Sequence, residues 1–141
     1  MEKLNVSLIL LYDCQRRFLL QHRSSDAKSL PDHWAFFGGG IEKGETPKEA
    51  VLREAFEELF YKPRDPALVF EQDFFLDDVP GHMHVFTEAF DQDKSKLCLG
   101  EGQGWGWYKV TEIGSLKMLE HDRLVVETVA QYLGTCRDSV S

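Results

Sequence analysis

The chain has 141 residues, 43% of them hydrophobic, which predicts one domain over residues 1–141 with its own core and excludes disorder. A formal net charge of −8 argues against a basic surface for long nucleic acid, yet admits a small polyanion whose phosphates are neutralised by metal ions and local cations. The cysteines Cys14, Cys98 and Cys136 are odd in number and far apart, so they form neither a disulfide framework nor a zinc pattern and suit a reducing cytoplasm.

Asn5 to Tyr12 is a continuous apolar run that reads as a buried strand. It is too short to span a bilayer, and it lacks the basic flank and cleavage site of a signal peptide. Arg17 to Gln21 is a second strand after the polar turn Asp13-Cys14-Gln15. Arg23 to His33 is polar, contains Pro31 and reads as a loop, and Trp34 to Phe37 is a short strand leading into Gly38-Gly39-Gly40. A helix follows: Thr46 supplies the N-cap, Pro47 suits the first helical position, and Glu49 completes a capping box. Its inward face is Ala50, Val51, Ala55, Phe56 and Leu59, and Lys62-Pro63 ends the element. Strands are predicted at Leu68 to Phe75, Met83 to Phe90 and Trp107 to Val110. A second helix is predicted from about Arg123 to Leu133, capped by Asp122 and stopped by Gly134. Mostly strands with two helices outside gives an α+β fold, an α/β/α sandwich.

Glu54, Glu57 and Glu58 share one helical face, because residues three and four apart are neighbours. Three like charges so close repel, and a hard divalent cation such as Mg²⁺, which prefers oxygen ligands and brings phosphates with it, is expected to meet them. The plain alternative is a solvated acidic helix face. Against it stands the register of these residues with the glycines, Glu45 and Arg53.

The spacing Gly39, five residues, Glu45, seven residues, Arg53-Glu54, then Glu57-Glu58 resembles the box of the Nudix family, over 23 of the 141 residues. The pattern is most similar to MutT-like nucleoside triphosphate pyrophosphohydrolases. That resemblance implies a Nudix fold, a mixed β-sheet flanked by helices, and a Mg²⁺-dependent enzyme, with Mn²⁺ as the alternative ion. It implies metal ligands at Glu54, Glu57, Glu58 and the Gly38 carbonyl, with Glu101 of Glu101-Gly102-Gln103 adding one more. It also implies that Glu45 pairs with Arg53 and braces the loop against the helix. The general base is left open among Glu54, Glu57 and Glu101. The expected substrate is a small nucleotide, held by Gly38, Gly39, Arg23 in the segment from His22 to Ala27, and Asp122 at a base-reading position. Arg23 as a surface cation and Asp122 as a simple N-cap are the competing readings.

His82 and His84 alternate along a strand, and without a third ligand the pair reads first as a partly exposed strand face; contact of His82 with a nucleobase is the alternative. Gly100, Gly102, Gly104 and Gly106 are not a P-loop, since no Gly-Lys-Ser/Thr follows, and read as a flexible connection. Two positions depart from the family pattern. Phe60 stands where the box has a glycine that lets the helix end with positive φ, so the helix is expected to end differently, running on to Lys62. Phe37 replaces a proline frequent in MutT-like members. The expected reaction opens a pyrophosphate bond in a nucleoside diphosphate linked to another group, most simply a nucleoside triphosphate giving monophosphate and pyrophosphate. The alternatives are a nucleoside diphosphate sugar, a dinucleoside polyphosphate, or a nucleotide sensor that does not cleave. Monomer and homodimer are left open.

Overall fold

The computed structural model describes residues 4–28, 30–99 and 104–140, with side chains as far as Gly134. In chain order the elements are β1 (Leu4–Tyr12), β2 (Phe18–His22), β3 (Trp34–Ala35), β4 (Phe37–Gly40), α1 (Pro47–Leu59), β5 (Ala67–Leu76), β6 (Val79–Ala89), β7 (Gly104–Tyr108) and α2 (Glu120–Val140). The strands make one mixed sheet, in which β1 runs parallel to β6 and the remaining pairs are antiparallel. Alternation along β1 sorts the two cores, as period-2 side-chain geometry requires. Ile9 and Leu11 join Val51 and Leu59 of α1 on one face, while Leu10 joins Val125, Val126 and Val129 of α2 on the other. The α/β/α sandwich is therefore present.

The centre of the sheet is split. β1 and β2 meet at Tyr12 and Phe18 and then diverge. The segment 34–40 fills the wedge, β3 pairing with β2 and β4 with β1. The single strand predicted at Trp34 to Phe37 is thus two strands that change partner at Phe36, whose carbonyl accepts a hydrogen bond from Gln21 Nε2 at 2.8 Å. The glycines belong to β4, with Gly39 opposite Ser7 and Gly38 opposite Leu8.

Other expectations are corrected. Phe56 is 44% exposed rather than inward; Glu58, at 5%, is buried instead. Helix α1 ends at Leu59 and does not run on to Lys62, because Phe60 itself takes the left-handed conformation (φ 54°, ψ 34°) and donates its N–H to the Phe56 carbonyl at 2.9 Å. Helix α2 begins at Glu120, which puts Asp122 inside the first turn and not at the cap. It also passes through Gly134, since a glycine costs a helix about 1 kcal/mol, too little to stop one held by packing. Gly104 and Gly106 are strand residues of β7, not a flexible connection, and the Tyr108 ring covers Gly106 at 2.6 Å from where a Cβ would stand. Gly100 and Gly102 lie outside the described residues. Strand β6 starts at Val79, four residues before the predicted Met83, because Asp77 and Asp78 both adopt positive φ and close a two-residue hairpin. Among the described residues no helix is long and apolar enough to cross a membrane.

Candidate active site

The start of α1 is held in several ways at once. Thr46 Oγ1 accepts from the Glu49 N–H at 3.1 Å, and the Glu49 carboxylate accepts from the Thr46 N–H at 2.9 Å, which completes the predicted capping box. Ser7 Oγ donates to the Pro47 carbonyl at 2.8 Å and ties this first turn to β1. Arg53 then grips the loop before the helix. Its Nε and Nη2 donate to the two Glu45 oxygens at 2.8 and 3.0 Å, and Nη2 also donates to the Gly40 carbonyl at 3.0 Å. A bidentate guanidinium–carboxylate pair of this kind is strong and directional. The Arg53 hydrogen bond, helped by the Glu42 N–H, holds the Glu45 carboxyl down at about 2.

The same guanidinium reaches forward. Arg53 Nη1 is 2.9 Å from Glu54 Oε1 and 3.5 Å from Glu57 Oε2. Glu58 points the other way and accepts from the Gly38 N–H at 2.8 Å. The glycines are required by this arrangement. A Cβ on Gly39 would stand 2.7 Å from Glu54 Oε1, so the carboxylate occupies the space a side chain would fill. Gly38 has φ +135°, and a Cβ there would strike the Ser7 backbone oxygen.

Gly38 and Glu58 also open onto a cavity of about 500 Å³, within the range of small-molecule sites. Arg23, Gln21 and Asp122 line it too, and its apolar lining includes Phe36 and Phe74. Burial pushes the Asp122 carboxyl up, against the opposing pull of His121 at 3.7 Å and of His33. His121 lines the cavity too, and its Nε2 is buried without a hydrogen-bond partner among the described residues.

The model of the NUDIX domain family matches residues 1–129. The chain belongs to the Nudix family. An RNA pyrophosphohydrolase of Francisella tularensis subsp. mediasiatica is 30% identical over 102 residues, which are 72% of this chain and 57% of that relative. The chain thus matches little more than half the length of this curated relative. The MutT protein of Methanosarcina mazei Go1 shares the fold with a TM-score of 0.78 at 23% identity, covering 90% of this chain and 94% of that one. The Nudix domain of Shewanella oneidensis NrtR, solved with ADP ribose, superposes with a TM-score of 0.79 at 14% identity, covering 94% and 90%.

The Nudix box therefore brings together Gly38, Gly39, Arg53, Glu54, Glu57 and Glu58, and the cavity adds Arg23 and Asp122. Glu101 lies outside the described residues. His82 is not in this group. It lies with His84 and Phe86 on the α1 face of β6, whereas Met83, between the two histidines, faces the cavity. Glu54, Glu57 and Glu58 are hard oxygen donors around one glycine strand, and this donor set fits Mg²⁺ or Mn²⁺. Arg53 holds Glu54 and Glu57, and the Gly38 N–H holds Glu58. Sequence reasoning missed Gln21 and His121. Gln21 is an isolated polar residue at the end of an apolar strand, and nothing local marks it as facing a cavity. His121 had a faint signal as the neighbour of Asp122.

Proposed function

We propose that this Nudix protein hydrolyses the pyrophosphate bond of a nucleoside diphosphate linked to another group, with a nucleoside triphosphate as substrate and a monophosphate plus pyrophosphate as products. The observation that carries the reading is the continuity of one cavity from the box residues Gly38 and Glu58 to Arg23, Gln21 and Asp122. Phosphates belong at the first end and a base at the second. The curated relative named an RNA pyrophosphohydrolase supports the bond type, although this chain's charge of −8 favours a small nucleotide over a polymer.

Glu54, Glu57 and Glu58, with the Gly38 carbonyl, hold Mg²⁺ in this reading. When bound, the ion neutralises phosphate oxygens and lowers the pKa of a water. Arg53 orients Glu54 and Glu57 while fixing the loop through Glu45, so the carboxylates keep their places as phosphate charge enters. Water attacks a phosphorus, the bond from that phosphorus to the bridging oxygen breaks, pyrophosphate departs, and a box glutamate takes the water's proton. Arg23 meets negative charge on the nucleotide. Phe36 and Phe74 supply apolar contact for a base, and Asp122 with His121 reads its polar edge.

A panel of nucleotides with Mg²⁺ tests this, scored for inorganic phosphate with and without added pyrophosphatase. A triphosphate cut as proposed releases phosphate only when pyrophosphatase is present. Two monophosphates from a sugar nucleotide would shift the substrate class. Silence across nucleoside triphosphates, sugar nucleotides and dinucleoside polyphosphates would replace catalysis by nucleotide sensing.

A further inference from the structure

His82 and His84 are two residues apart on β6, so both rings rise from the face that α1 covers. Their third partner comes from the neighbouring strand of the hairpin. The register sets Glu71 of β5 opposite His84, and Asp73 opposite His82. Glu71 Oε1 lies 3.0 Å from His82 Nε2 and 3.4 Å from His84 Nε2. A tetrahedral ion with bonds of about 2.0–2.1 Å separates its ligand atoms by roughly 3.3 Å. The two separations from Glu71 Oε1 are already near that spacing, and ligand atoms of the three residues all lie within 4.8 Å of one another.

The other ring nitrogens are engaged as well. His82 Nδ1 is 2.8 Å from Asp73 Oδ1, and His84 Nδ1 is 3.3 Å from the Val6 carbonyl. Carboxylate and carbonyl oxygens only accept, so each ring has an acceptor at both nitrogens while a neutral imidazole has one hydrogen to give. With the hydrogens on Nδ1, both Nε2 lone pairs face one carboxylate oxygen, and three acceptors with no donor among them repel. A proton on His82 relieves one of these contacts and leaves the other. A cation at the centre relieves all three. The outer contacts, a carboxylate behind one imidazole and a backbone carbonyl behind the other, are the supports that fix metal-binding histidines.

We propose that Glu71, His82 and His84 form a second metal site, separate from the carboxylates Glu54, Glu57 and Glu58, for Zn²⁺ or a similar borderline divalent ion. Two imidazoles select such an ion over Mg²⁺, which wants oxygen ligands. The fourth position opens on a depression of about 470 Å³ beside Asn5, Ile41 and Glu45. Asp73 positions His82 and is not itself a ligand.

The test uses the full chain, stripped with chelator and then held in excess Mg²⁺ so that the box carboxylates are not the binding site measured. Zn²⁺ is titrated by calorimetry, and Co²⁺ is followed by its visible absorption. One Zn²⁺ per chain and a nitrogen-ligated, four- or five-coordinate Co²⁺ spectrum are expected. His84→Ala and Glu71→Gln should abolish both, with unchanged circular dichroism showing that the fold survives. Asp73→Asn should weaken binding roughly 10–100-fold while keeping the spectrum. Glu54→Gln/Glu57→Gln should leave Zn²⁺ binding intact. The proposal is overturned by a wild-type chain that binds no Zn²⁺, by binding that survives both His84→Ala and Glu71→Gln, or by binding lost only with the box variant.

Discussion

Gly38 and Gly39 are neighbours in one strand, and their constraints differ in kind. At Gly38 an added methyl meets the backbone of β1, which cannot move, and φ is +135° besides. Gly38→Ala should cost about 3 kcal/mol or more, read as a fall in the urea midpoint. At Gly39 the methyl meets only the carboxylate end of Glu54, at 2.7 Å, and that side chain can swing aside. Gly39→Ala should therefore leave stability within about 1 kcal/mol of wild type, yet reduce turnover by displacing Glu54. Equal stability losses in the two variants would contradict this division. Glu54→Gln and Glu57→Gln keep the side-chain volume and remove the charge, and each should lower turnover by about 10²–10⁴-fold with the fold intact. Near-normal turnover in both would sink the assignment of the box as the catalytic centre. These residues were legible in the sequence because their spacing is local, within one loop and one helix. Glu71, as the partner of His82 and His84, was not, since only the β5–β6 register brings it near.

At the scale of elements, the end of α1 is the most informative misreading. Phe60 was expected to forbid the glycine-like ending, and it adopts that ending regardless. Its ring meets the edge of Phe56 at 5.9 Å between centroids, and the Lys62 ammonium lies 5.3 Å from the Phe56 centroid. This cluster explains why Phe56 faces outward, while Glu58 turns inward to the Gly38 N–H. A periodicity argument ranks phenylalanine above glutamate for the inner face, because it does not see the amide waiting there. A non-glycine residue at φ 54° is strained, so Phe60→Gly should be about 1 kcal/mol more stable than Phe60→Ala. Both variants lose the ring, so their difference in urea unfolding isolates the backbone. Identical stabilities would show that position 60 carries no such strain. The boundary error at β6 comes from two residues. Pro80 and Gly81 are turn formers, yet Pro80 pairs with Phe75 and Gly81 with Phe74, beneath whose ring it sits.

Across the whole molecule, the layers follow from strand alternation and were legible, whereas the ties between distant segments were not. Asp13 shows this best, since its sequence marks only a turn. Its Oδ1 accepts from the N–H groups of Gln15 at 3.0 Å and Arg17 at 2.8 Å, and its Oδ2 accepts from Arg17 Nε at 2.7 Å and Lys94 Nζ at 2.8 Å. Lys94 also lies 4.1 Å from the centroid of the Trp107 ring, so one carboxylate joins the β1–β2 turn to the segment after β6 and to β7. Burial pushes the Asp13 carboxyl up, but Lys94, Arg17 and the Gln15 amide outweigh it and hold the group down from 3.8 to about 2. Because the folded value lies below the unfolded one, the stabilisation is complete above pH 3.8 and is lost as pH falls towards 2. With the side chain only 4% exposed, the shift corresponds to about 2 kcal/mol. Other carboxylates titrate in the same range, so the measurement is a difference. The stability gap between wild type and Asp13→Asn, taken from urea unfolding at successive pH values, should be widest above pH 4 and shrink by about 2 kcal/mol on approaching pH 2. Lys94→Met should reduce that pH-dependent gap without removing it, because Arg17 remains. A gap that stays constant over the whole range would mean that the Asp13 carboxyl titrates alike in the folded and unfolded chain, and the tie would then be geometric only.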